Sequence, residues 1–212
     1  MTSLRTLSLV SLLALGACAP LINLGGSEPA TAYGLRYPGG RALAAEGAPV
    51  IYVDEPVMTE GLGGRDIVVR GADGSQSVLK GGRWTAPASD MVRYYLVQAL
   101  EDHTGARMIG EGGLDINAAC RTHITVWHFE MVPGAGGTPD KAVVGLELSL
   151  VHLDTGEMLF RNRFDRTADI TGNEPSTVVA AFQYAMEGLS GELAEGMKDK
   201  VAACGVETAP AG

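Results

Sequence analysis

The residues able to do chemistry are few and scattered. His123 and His128 stand five positions apart in the segment RTHITVWHFEM. On a regular strand five positions place two side chains on opposite faces, so only a bulge between them would let both reach one metal. His152 falls on the next predicted strand and His103 near a helix end. The spacing therefore reads as separate surface or hydrogen-bonded histidines, and no metal site is assigned. Asp54-Glu55 and the Asp165…Asp169 pair sit at strand ends and read as solvated loop charges. No G-x-S-x-G occurs, which gives no support to a serine-hydrolase elbow. The run GAGGTPDK at 134–141 has glycines and a lysine without Walker A spacing. Gly61-Leu62-Gly63-Gly64 lacks both the spacing and the following helix of a dinucleotide loop. No catalytic residue and no cofactor are assigned.

The cysteines are more informative. Arg5 gives a positive start, LSLVSLLAL (7–15) is a short apolar run, and Gly16-Ala17 precede Cys18. The run is too short to span a bilayer and fits the core of a signal peptide. The string Leu15-Gly16-Ala17-Cys18 resembles the bacterial lipoprotein signal, or lipobox. That likeness implies cleavage before Cys18, a diacylglycerol thioether on its sulfur and an acylated amine; a plain secretory signal with an incidental cysteine is the alternative. Several acyl chains give stable anchoring where one is marginal. Ala19 rather than Asp follows, which by analogy permits sorting to the outer membrane. With Cys18 used for lipid, Cys120 and Cys204 remain as a pair in an oxidising compartment, which favours one disulfide over two buried thiols. Its ends lie 204 − 120 = 84 positions apart, a loop whose closure constrains the unfolded chain by about 4–5 kcal/mol. Zinc is disfavoured because no Cys-x-x-Cys is present.

The elements that must carry these residues follow from pattern. With 46% apolar and 19% charged residues in 212, the chain has an ordinary globular mix and needs no staple to build a core. Its net charge, 16 − 25 = −9, lacks the footprint of a nucleic-acid or polybasic membrane binder. Removing residues 1–17 leaves 212 − 17 = 195 residues and a charge of 15 − 25 = −10. Residues 18–30 read as a tether and 205–212 as a loose tail, bounding a body at 31–204. Strands are predicted at 31–37, 49–53, 66–70, 77–80, 107–109, 121–131, 142–153 and 157–167. Val144, Leu146, Leu148 and Leu150 alternate with Val143, Gly145, Glu147 and Ser149, the pattern of a half-buried antiparallel strand. Met158, Phe160 and Phe164 share one face of the next strand and Arg161 and Arg163 the other; the arginines read as a solvated sheet face rather than an anion site. A first helix is capped by Ser89 or Asp90 and closed by Gly105. A second starts at Glu174-Pro175 and carries a stripe from Val178 to Val201, with Gly188, Gly191 and Gly196 weakening its continuity. Trp84 reads as a core or hinge aromatic that docks the first helix, with a ligand platform as the rival. Trp127, Phe129, Phe160 and Phe164 read as core. The fold class is α+β: an antiparallel meander with two main helices packed on one face.

Together these residues resemble one family. The lipobox ending at Cys18, Tyr33-Gly34-Leu35-Arg36, Arg83-Trp84-Thr85-Ala86-Pro87-Ala88 leading into the helix at 90–101, and the closing order strand, strand, Gly turn, strand, helix are similar to the ABC-type transport auxiliary lipoproteins, the PqiC-like family. The resemblance covers roughly 31–200. It implies a non-enzymatic lipoprotein on the periplasmic face of the outer membrane, working with an MCE-domain protein, its ABC permease and its ATPase, in lipid or hydrophobic-solute transport. It leaves a homo-oligomeric ring open and assigns no residue to partner binding. A periplasmic lipid-binding protein, an outer-membrane assembly lipoprotein and, more remotely, an envelope hydrolase are the rivals.

Overall fold

The structure, a computed structural model, describes residues 29–40, 43–59, 61–110 and 117–205. The signal segment, Cys18, most of the tether, the Gly-rich segment 111–116 and the tail from 206 lie outside the described residues. Among the described residues there are nine strands, two α-helices and one short 3-10 turn. In chain order they are β1 (Thr31–Tyr33), β2 (Val50–Val53), β3 (Val57–Met58), β4 (Asp66–Arg70), β5 (Gln76–Trp84), α1 (Ala88–Thr104), β6 (Arg107–Ile109), β7 (Cys120–Val132), β8 (Lys141–His152), β9 (Met158–Asp169), α2 (Pro175–Lys198) and the 3-10 turn Val201–Cys204. No helix among them is long and apolar enough to cross a membrane.

The long strands form the predicted meander. β7–β8 and β8–β9 pair antiparallel along most of their length. The first half of the chain departs from expectation. The α+β class holds, but the sheet is mixed: β2, β3 and β4 lie one after another along the far side of β7, each parallel to it. β6 is parallel to β2 and β1 to β5, while β4–β5 is an antiparallel hairpin. Parallel neighbours need a crossover, and the segment containing α1 supplies it between β2 and β6. Direction is a nonlocal property, so strand patterns of four or five residues could not disclose it.

Both helices carry apolar stripes that pack toward the sheet. α1 buries Met91, Val92, Tyr95, Leu96, Ala99 and Leu100. It begins at Ala88, two residues before the expected start at 90. Pro87 holds the cap position and neither Ser89 nor Asp90 makes a side-chain cap bond; Ala88 N–H instead donates to Gly64 O at 2.9 Å. Gly105 closes the helix in the left-handed conformation at φ 70°. α2 starts at Pro175 and runs unbroken through its glycines. Gly196 has a packing reason, because a Cβ there would stand 3.1 Å from the Phe160 ring tip. Trp84 of β5, Phe129 of β7 and Phe182 of α2 form a buried triad with ring centroids 4.9–5.5 Å apart. It ties three elements together, and Trp84 is core, as the sequence favoured.

Candidate functional site

Three bulges decide which side chains share the open face of the sheet. Between Val126 and His128 the β7–β8 register shifts, leaving Trp127 as the extra residue. Before the shift Thr122, Ile124 and Val126 point inward; after it Phe129 does. The bulge therefore brings His123 and His128 to the same outward face, opposite to the regular-strand expectation. They remain apart in function: His123 Nδ1 lies 3.9 Å from Asp54 Oδ2 and His128 Nδ1 lies 2.9 Å from Glu130 Oε1. No group of three His, Cys, Asp or Glu among the described residues could hold a metal. Trp127 is 40% exposed rather than core, with the Arg163 guanidinium 5.0 Å from its ring centroid. A second bulge at the start of β9 turns Met158 out to solvent, away from Phe160. A third interrupts β4–β5 between Asp66 and Val68.

The open face is polar and internally paired. Arg121 Nε donates to both Asp54 oxygens, at 2.7 and 2.8 Å. Asp54 is thus an ion-pair partner, not a solvated loop charge, while Asp165 lies inside β9 and Asp169 at its end. Arg161 bonds Glu147 at 2.9 Å. Glu130 is the most enclosed charge. It is 1% exposed, takes Arg70 Nε at 2.8 Å and Nη2 at 3.2 Å, and also accepts from His128 Nδ1. A carboxylate oxygen only accepts, so Nδ1 carries the proton in this contact. Burial pushes the Glu130 carboxyl up, but the bonds from Arg70 and His128 and their charges together outweigh it and hold it below the ordinary carboxylate range.

Two ends of the molecule are tied. Cys120 of β7 and Cys204 of the 3-10 turn are joined by a disulfide with Cα atoms 5.5 Å apart, both fully buried. The predicted stripe of the second helix ran on to Val201, but α2 ends at Lys198 and Val201 opens the 3-10 turn that presents Cys204. Beside it His152 Nδ1 is buried with no hydrogen-bond partner among the described residues. At the other end, the predicted strand 31–37 pairs only as far as Tyr33. The chain then crosses the helix layer as a strap. Gln183 of α2 accepts from Arg36 N at 2.9 Å and donates to Arg36 O at 2.6 Å. Tyr37 O–H donates to Asp102 at 2.7 Å and lies 3.3 Å from His103 Nε2. Burial first, then the Asp102 bond, pushes the Tyr37 hydroxyl pKa well above its ordinary value.

The model of a family described as the ABC-type transport auxiliary lipoprotein component matches residues 33–194, about three quarters of the chain. The chain belongs to this family. Its members' fold recurs in solved structures. Protein XCC0632 from Xanthomonas campestris is 22% identical, with 82% of this chain and 99% of that one covered and a TM-score of 0.66. A second, uncharacterised protein is 16% identical over 79% and 98% of the two chains, with a TM-score of 0.63. The hypothetical protein CT253 from Chlamydia trachomatis is 6% identical over 74% and 99%, with a TM-score of 0.52. At these identities the likeness shows the fold. None of the curated proteins matches the chain. The strap at Arg36–Tyr37, the Trp84 entry to α1 and the strands β7–β9 all fall inside the matched range, and Cys18 precedes it.

Proposed function

We propose that this transport auxiliary lipoprotein is a non-enzymatic docking subunit. It is held by lipid on Cys18 at the periplasmic face of the outer membrane, and seats an MCE-domain component of an ABC system that moves lipid or hydrophobic solutes. The observation that carries the reading is the family match over 33–194, downstream of a string that resembles a lipobox. The geometry supports it in one respect. Pro29 and Ala30 lie against the Gly81–Arg83 end of β5, at a margin of the sheet. From Cys18 to Pro29 there are 29 − 18 = 11 residues, a reach of at most about 40 Å. Both the open sheet face and the helix layer can therefore meet a partner while the anchor stays in the membrane, where tethering raises the effective concentration of one beside the other.

The test is genetic. Deleting the gene is expected to raise envelope permeability to hydrophobic dyes and detergents. The intact gene should restore the barrier and Cys18→Ser should not. An unchanged barrier together with unchanged assembly of the transporter would contradict the proposal.

A further inference from the structure

β9 is an edge strand twelve residues long, paired on one side only among the described residues. Ile170 N–H donates to Asp140 O at 2.7 Å. Antiparallel pairs alternate, so residues 168, 166 and 164 bond to β8 in the same way. The N–H and C=O groups of Arg163, Asp165, Thr167 and Asp169 therefore face the free edge. Such a row is a template for another strand. Along this edge the inner side opens into a groove against α2. Two cavities of about 590 and 470 Å³ share Thr167 and Tyr184, and their α2 wall adds Thr177, Ala180, Ala181, Ala185, Glu187 and Gly188. Tyr184 is 72% exposed. The charges also have a sign. Arg161 is paired with Glu147, Arg163 lies on Trp127, and Arg166 is paired with Glu192. Asp165, Asp169 and Glu187 have no ion pair among the described residues, nor has Arg163, and Lys141 stands across from Asp169 in the β8–β9 register, so the acids along the groove outnumber the cations five to four.

We infer that the β9–α2 groove accepts an extended, basic segment of a partner protein as a tenth strand. Its backbone pairs with the free edge of β9. Alternate apolar side chains enter the alanine-walled groove beside Tyr184, and the side chains between them carry Lys or Arg toward Asp165 and Asp169. This is strand addition, in which main-chain bonds supply affinity and alternate pockets supply selection. The inference rests on the docking role proposed above and names the surface that performs it.

The test uses the mature chain and two nine-residue fluorescent peptides: Lys-Val-Lys-Val-Thr-Val-Lys-Val-Lys, and its twin with Glu for every Lys. Polarisation should show binding of the basic peptide and at least tenfold weaker binding of the acidic one. Hydrogen exchange should slow at the Arg163, Asp165 and Thr167 amides when the basic peptide is present. Thr167→Pro removes an edge N–H that β8 does not use, and Ala180→Trp fills the groove from an exposed position. Each should weaken the basic peptide at least tenfold, and circular dichroism identifies a variant that fails to fold. Equal binding of both peptides, or affinity unmoved by the folded variants, overturns the inference. So does a wild-type dimer in sedimentation that Thr167→Pro dissolves, because a second copy then fills the edge. If both folded variants recover transporter components from crosslinked cells as well as wild type does, the groove is refuted and the docking role stands; if wild type recovers none, it is the docking role that fails.

Discussion

Replacing Glu130 with Gln is expected to cost about 2 kcal/mol at pH 7. The carboxylate is 1% exposed and receives three hydrogen bonds, two from Arg70 and one from His128. Bonds to a charged group are worth about 1.5–3 kcal/mol each before the cost of burying the charge. Gln keeps the shape and one acceptor, and the Arg70 side chain is 31% exposed, so its guanidinium can turn to water. Those two facts bring the loss well below that of a fully buried pair. For a body of this size about 2 kcal/mol lowers the melting temperature by about 4–8 °C. The loss also depends on pH. The folded carboxyl sits below its ordinary range, so its contribution is complete above the unfolded value of about 4.3 and fades as pH falls through the folded value. Urea unfolding of wild type and Glu130→Gln at pH 7, 5 and 3.5 measures this. The gap should be narrower at pH 3.5 than at pH 5. A gap under about 0.5 kcal/mol at pH 7, or one that stays constant to pH 3.5, would refute the reasoning.

Other substitutions test the packing. Trp84→Ala removes the centre of the aromatic triad and should cost about 3–5 kcal/mol in urea melts, whereas Tyr184→Ala, at an exposed position, should stay within about 0.5 kcal/mol. Gly145 sits under His128 and Asp165: a Cβ there would collide with Asp165 Oδ1 and stand 3.0 Å from His128 Cδ2. Gly145→Ala should therefore cost about 1–3 kcal/mol, and much less in an Asp165→Ala background. Cys120→Ser with Cys204→Ser should lose up to about 4–5 kcal/mol, and reductant should reproduce that loss in the wild type while leaving the double variant unchanged.

Where side-chain pattern alone decides structure, the sequence was readable. The alternation of Val144 to Leu150, the stripe of α2 as far as Met197, and Gly105 as a helix stop all reappear in the structure. Trp84 was read as core and Phe182 falls in the stripe read from Val178 to Val201, yet their contact with Phe129 depends on strand order, which no local pattern carries. Strand direction was illegible for the same reason, and it turned the expected antiparallel sheet into a mixed one. The bulge at Trp127 was the costliest blind spot. A single extra residue, with neither Gly nor Pro to mark it, moved Trp127 out of the expected core and turned His128 to the same face as His123. The strap at Arg36–Tyr37 was taken for strand because its apolar and polar residues alternate, although Gln183, not a neighbouring strand, satisfies its backbone. The edge of β9 could not be found at all without knowing which strand ends the sheet.

The central claim is a docking role at the envelope, and one measurement addresses it directly. The tagged lipoprotein is crosslinked in cells, solubilised in detergent, recovered and read by mass spectrometry beside a Cys18→Ser control. The account predicts recovery of an MCE-domain protein with its permease and ATPase, and a marked loss of them in the control. Recovery of an outer-membrane assembly factor, or of bound lipid with no transporter component, would contradict it.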